Sequence, residues 1–207
     1  MKDVLDIDSS VTALPFHSAL SCLPFDLSKE AMNVAKFVCA SPSTLRALKS
    51  HTDLARDDLC AFVLFLSEGM LQADLCAHLE SKDVAHLKKH YALFLSILLS
   101  ATKNMQSTCK VKVTFGSSSR SFNFQVNEQV FLSSFVRSVL SEENTTHEWE
   151  GKAHTIFHLC TKQGVLLENI TDHPGDILLP YGASFRVTEI IHSKSRLHTY
   201  VTLCDAE

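Results

Sequence analysis

Asp176 is the residue of this chain whose setting asks for a chemical explanation. It stands just ahead of the apolar run Ile177-Leu178-Leu179, which Pro180 closes before a second strand-like run opens at Phe185. An acid at the mouth of a buried strand is either an active-site carboxylate or what is left of one. Asp172 and His173, just upstream, offer an acid/base pair. Aspartate and proline are turn formers, however, and with Pro174 and Gly175 following, the segment reads as a turn. The eleven histidines show no metal spacing. His154 and His158 are four apart in a strand pattern, which separates them by about 13 Å on one face, too far for one ion. No metal site is expected. Trp149, in a polar stretch, reads as a hydrophobic anchor for a loop.

The elements that must position Asp176 follow from periodicity. Residues 28–38 read as a helix opened by Ser28 as N-cap, and 41–51 repeat that signal with Pro42 after Ser41. Residues 55–81 carry apolar clusters at helical spacing, with Gly69 as a break. Residues 82–105 place Val84, Leu87, Tyr91, Leu95, Leu98 and Leu99 along one amphipathic stripe. After Met105 the period becomes two. Residues 109–116, 120–126, 128–140, 153–160, 164–170, 175–180, 184–192 and 196–204 read as strands. Helices first and strands afterwards make an α+β architecture in a single domain over 1–207, with a helical half over 1–105 and a β-rich half over 106–207.

Composition removes several function classes. The apolar fraction of 45 % excludes disorder. A net charge of −4, with no basic stripe, gives no reason to expect nucleic acid or an anionic membrane as partner. The longest apolar runs fall well short of the ~20 residues that span a bilayer, so no membrane span is expected. Seven cysteines form no C-x-x-C pair, which argues against structural zinc. Cys60 and Cys76 lie in apolar runs as small hydrophobes. Cys22, Cys109, Cys160 and Cys204 lie at or near segment ends, where disulfides link distant elements. With the sequons at Asn144 and Asn169, this favours an extracellular domain, secreted or surface-anchored, over a cytoplasmic one.

The helical-then-β order, with "GDILLPYGASFRV" near its end, resembles the vertebrate ecto-mono-ADP-ribosyltransferases, whose last core strand pair reads E-x-E-V-L-I-P-x-x-x-x-F-x-V. "HTIFHLCTKQGVLLENI" is similar to that family's T-L-F-x-I-x-x-C-x-G-x-x-I segment, "LSILLSA" to its L-H-F-L-L-T helix, and "CKVKVTFG" to its C-x-x-V-Y-R-G strand. The resemblance covers most of the chain. It implies a β-rich core of two small sheets, and disulfides Cys22–Cys204 and Cys109–Cys160. It also implies NAD as substrate and a protein acceptor or cell-surface protein as partner. The chemistry so implied cleaves the nicotinamide–ribose bond and transfers ADP-ribose, with an arginine on the phosphates, a serine positioning a carboxylate, and that carboxylate at the ribose cation.

This chain departs from that pattern at each of those positions. The family's arginine falls on Phe115, which cannot bind phosphate. Its first serine falls on Arg137 if Phe135 takes the phenylalanine, while a shifted register offers Ser133 or Ser134. The two glutamates fall on Pro174 and Asp176, and aspartate is one methylene, about 1.5 Å, short of glutamate. Arg120 and Arg137 are the candidates for a relocated phosphate clamp. The expectation is therefore a transferase-like protein with a degenerate site, acting as a binding module. The alternative is a divergent transferase or NAD glycohydrolase that uses Asp176.

Overall fold

The structure is a computed structural model that describes residues 16–38, 55–67, 69–106, 109–117, 122–140, 153–167, 170, 175–193 and 198–206. These fall into two compact units, 1–105 with 169–172, and 106–168 with 173–207. The main boundary lies between Met105 and Gln106, where the hydrophobic period changes.

The first unit is helical: α1 (Phe16–Ser21), α2 (Phe25–Val38), α3 (Arg56–Leu66), α4 (Met70–Glu80), α5 (Val84–His86), a π-turn (Leu87–Tyr91) and α6 (Ala92–Asn104). Ser28 is not an N-cap. Its amide donates to the Pro24 carbonyl at 2.8 Å, inside a helix that starts at Phe25. The helix expected over 41–51 lies outside the described residues. Gly69 does break the third segment, standing extended between α3 and α4 at φ −137° and ψ 176°. In α6, Phe94, Leu95, Ile97, Leu98 and Ala101 are buried and the helix packs on α3. Val84, expected on that stripe, is exposed in the first turn of α5.

The second unit holds β1 (Val111–Ser117), β2 (Gln129–Phe131), β3 (Val136–Leu140), β4 (Thr155–Thr161), β5 (Val165–Leu166), β6 (Asp176–Leu179), β7 (Ser184–His192) and β8 (Thr199–Asp205). They hydrogen-bond in the order β2-β7-β8-β4-β1-β3-β6-β5, so one ladder joins what was expected as two small sheets. Among the described strands only β4 and β8 pair parallel. Alternate residues of five strands make the core, among them Val113, Phe115, Phe157, Leu159, Ile177, Leu179, Phe185, Val187, Val201 and Leu203. Two expectations change. Residues 122–125 are not a strand, because Phe122 and Phe124 stack with each other at 5.0 Å and pack edge-on against Phe157 instead of joining the ladder. Residues 128–140 are two strands, β2 beside β7 and β3 between β1 and β6.

Candidate functional site

Strand β6 is buried along its whole length, and its period of two divides its residues between the faces of the sheet. Ile177 and Leu179 enter the core cluster, which leaves Asp176 and Leu178 on the other face. Gly175 sets the entry into the strand. Its φ of +83° is open to glycine at little cost, and its carbonyl accepts the Leu140 amide at 2.8 Å. Pro180, with no amide hydrogen to give, ends the ladder. Asp176 is thereby fixed at the strand mouth with 6 % of its surface exposed.

The residue that meets this acid is Arg137. Antiparallel pairing sets Arg137 opposite Leu178 and Val139 opposite Asp176, so Arg137 and Asp176 share a face as diagonal neighbours within reach of a long side chain. The Arg137 guanidinium donates twice to Asp176 Oδ2, from Nη2 at 2.6 Å and from Nε at 3.1 Å. Its side chain is 28 % exposed and that of Asp176 9 %. A charge-assisted pair so short and so buried on the acid side is a strong polar contact.

Phe115 lies in the core, 7 % exposed and stacked on Phe157 at 4.8 Å, and presents no polar atom to a ligand. Ser133 is exposed and Ser134 buried, both in the segment ahead of β3, and Ser134 Oγ is enclosed without a hydrogen-bond partner among the described residues. It is therefore Arg137, rather than either serine, that stands at the acid. Arg120, Asp172, His173 and Pro174 lie outside the described residues, as do Asn144, Trp149 and Asn169.

Further along this face, Thr114 pairs with Val139 on one side and with His158 on the other. His158 Nδ1 lies 3.3 Å from Thr114 Oγ1, and burial holds its pKa below the ordinary histidine value. A surface depression of about 470 Å³ is lined by Asn123, Gln125, Val126, Asn127 and Glu128, none of them a candidate site residue.

Neither expected disulfide is formed, since Cys22, Cys160 and Cys204 are thiols. The register gives a reason for Cys160: Lys112 stands opposite it on β1 and Cys204 on β8, whereas Cys109 precedes the paired part of β1. One group of residues was missed in the sequence. Asp74, His78 and His86 converge in the helical unit, but the 8-residue step from His78 to His86 crosses a helix break that periodicity does not resolve.

Sequence comparison adds nothing to this geometry: no family model matches the chain and no curated protein matches it in sequence. Comparison of folds does. The type III effector XopAI of Xanthomonas axonopodis pv. citri superposes with a TM-score of 0.68 at 14 % identity, over 93 % of this chain and 86 % of its own. The eukaryotic mono-ADP-ribosyltransferase ART2.2, in a complex with NADH, gives 0.60 at 16 % identity over 93 % and 83 %. Exoenzyme S of Pseudomonas aeruginosa, bound to carba-NAD and human 14-3-3 protein beta, gives 0.59 at 17 % identity over 86 % and 89 %. The chain has the ADP-ribosyltransferase α+β fold.

Proposed function

We propose that this chain is a mono-ADP-ribosyltransferase-like protein that has lost the transfer chemistry and serves as an extracellular binding module. The observation that carries the proposal is the ion pair between Arg137 and Asp176. Departure of nicotinamide from NAD builds positive charge on the ribose, and a carboxylate about 4 Å away favours it by about 4 kcal/mol at an effective dielectric of 20. A guanidinium roughly 3 Å behind that carboxylate, about 7 Å from the ribose, opposes it by about 2.4 kcal/mol on the same scale. About 1.6 kcal/mol then remains, and the loss amounts to roughly 60-fold in rate.

The ground state is weakened as well. Phe115, which the resemblance sets at the family's phosphate-binding arginine, turns into the core, and each charge-assisted hydrogen bond given up costs about 1.5–3 kcal/mol. Arg137, the described candidate for a replacement clamp, is engaged by Asp176. Sequons at Asn144 and Asn169 support the extracellular setting. Calorimetric titration of NAD into the protein tests the reading. Affinity weaker than about 1 mM is expected, and micromolar binding that Arg137→Met weakens overturns it by showing that Arg137 serves the phosphates.

A further inference from the structure

The helical unit holds a cluster of side chains with no part in the Arg137–Asp176 site. Asp74 and His78 are four apart on α4 and so share one helix face. The chain then turns through Lys82, at φ +55°, into α5. That turn lays the His86 ring on the His78 ring, with centroids 3.9 Å apart and planes 14° from parallel. One ligand atom from each of Asp74, His78 and His86 lies within 4.8 Å of the other two.

We propose that Asp74, His78 and His86 form a binding site for a first-row divalent cation of the zinc class. Two imidazole nitrogens and one carboxylate oxygen are a donor set that suits such an ion, with a fourth position left for water. Tetrahedral zinc with bonds of about 2.0–2.1 Å sets its ligand atoms about 3.3 Å apart. Asp74 Oδ2 and His78 Nε2 are already 3.6 Å apart.

Two further observations separate this cluster from a chance meeting of polar side chains. Among the described residues, His86 Nε2 is enclosed by the protein and has no hydrogen-bond partner. An unsatisfied buried nitrogen costs about 1–3 kcal/mol, which ligation would relieve. The outer partners are also in place. Asp83 Oδ2 stands 3.5 Å from His78 Nδ1, and the buried Tyr91 hydroxyl donates to Asp74 Oδ2. Carboxylate-on-histidine and donor-on-carboxylate contacts of this kind orient ligands and tune their basicity. Tyr91 is itself placed by the π-turn Leu87–Tyr91, an irregularity that often marks functional positions in helices. His78 is 24 % and Asp74 39 % exposed, so an ion has a route in. The stack belongs to the metal-free geometry, because near-parallel rings must splay about χ2 before both nitrogens face one ion. That torsion is soft.

Titration of the intact protein with Zn²⁺ and with Co²⁺ as spectroscopic probe tests the proposal. One equivalent should bind, raise the thermal midpoint and, for Co²⁺, give the intense visible bands of a four-coordinate N/O site. His78→Gln and His86→Gln should each weaken binding by at least 100-fold. Asp83→Asn, which removes only an orienting partner, should weaken it about 10-fold. His90→Gln, whose ring lies 4.7 Å from that of His86 while Nδ1 faces the Cys22 carbonyl, should bind as wild type does. Circular dichroism of each variant separates a lost ligand from a lost fold, and the exposed Asp83 gives a second route should a histidine variant misfold. Absence of one-equivalent binding, binding retained in both folded histidine variants, or a thiolate-to-cobalt charge-transfer band would overturn the assignment.

Discussion

Replacing Arg137 by methionine keeps most of the side-chain stem and removes the charge that faces Asp176. Asp176 is 6 % exposed, and the guanidinium gives it hydrogen bonds of 2.6 and 3.1 Å. Stripping one partner from a fully buried pair costs about 3–5 kcal/mol, because the charge that stays behind loses the guanidinium that offset its desolvation. Arg137 is 28 % exposed, so water can replace part of what is lost, and about 2–3 kcal/mol is the expected cost. Asp176→Asn should cost less, about 1–1.5 kcal/mol, since the freed guanidinium can hydrate and still donate to the amide oxygen. The double variant should fall short of the sum by about 1–2 kcal/mol, as expected for side chains in direct contact. Equilibrium urea unfolding followed by circular dichroism measures all three. With a slope of about 2 kcal/mol per molar, Arg137→Met should lower the midpoint by about 1 M. A cost for Arg137→Met below about 0.5 kcal/mol, or additivity within that margin, would refute the view that the pair holds the acid.

Other residues give sharper local tests. A Cβ on Gly164 would lie 2.9 Å from Ile177 Cγ2, so Gly164→Ala should cost about 1–3 kcal/mol in the same assay, and a neutral result would mean that β6 can shift. The pKa of His158 is lowered by burial, so the unfolded chain takes up a proton more readily than the folded one. Its stability contribution is complete above about pH 6.5 and is lost as pH falls toward the depressed folded value. His158→Gln should flatten that part of the stability–pH curve, and an unchanged slope would contradict it. Cys160 and Cys204 are register partners on parallel strands, which sets their Cα atoms about 4.8 Å apart, inside the range a disulfide spans. Mild oxidation should yield a Cys160–Cys204 peptide pair on mass mapping, and a Cys109–Cys160 pair would show that the register is wrong.

The β half was legible because its strands alternate cleanly. "SFRVTEIIH" is β7 residue for residue, and "GDILLP" contains β6 between a glycine and a proline that both punctuate it. The alternation of Phe122 and Phe124 misled because rings can satisfy the same pattern by stacking on Phe157 outside the ladder. Ser28 carried a cap signal, but local signals cannot reveal that the preceding turn, from Pro24, is already helical. At the site, sequence placed Asp176 at a strand mouth and left the position that faces it open between Arg137, Ser133 and Ser134. It could not show that Arg137 and Asp176 bond to each other, since that depends on a cross-strand register between segments 39 residues apart. The Asp74–His78–His86 cluster was hidden for the same reason, because its convergence is made by the turn through Lys82.

Release of nicotinamide from NAD by the purified protein is the most direct test of whether Asp176 still does chemistry. With the pull of Asp176 on the ribose cation cut roughly 60-fold by Arg137, and with Phe115 turned into the core so that NAD is held weakly, release should lie near that of a buffer blank, too low for Asp176→Ala to lower it measurably. Steady turnover by the wild-type chain that Asp176→Ala abolishes would contradict the account.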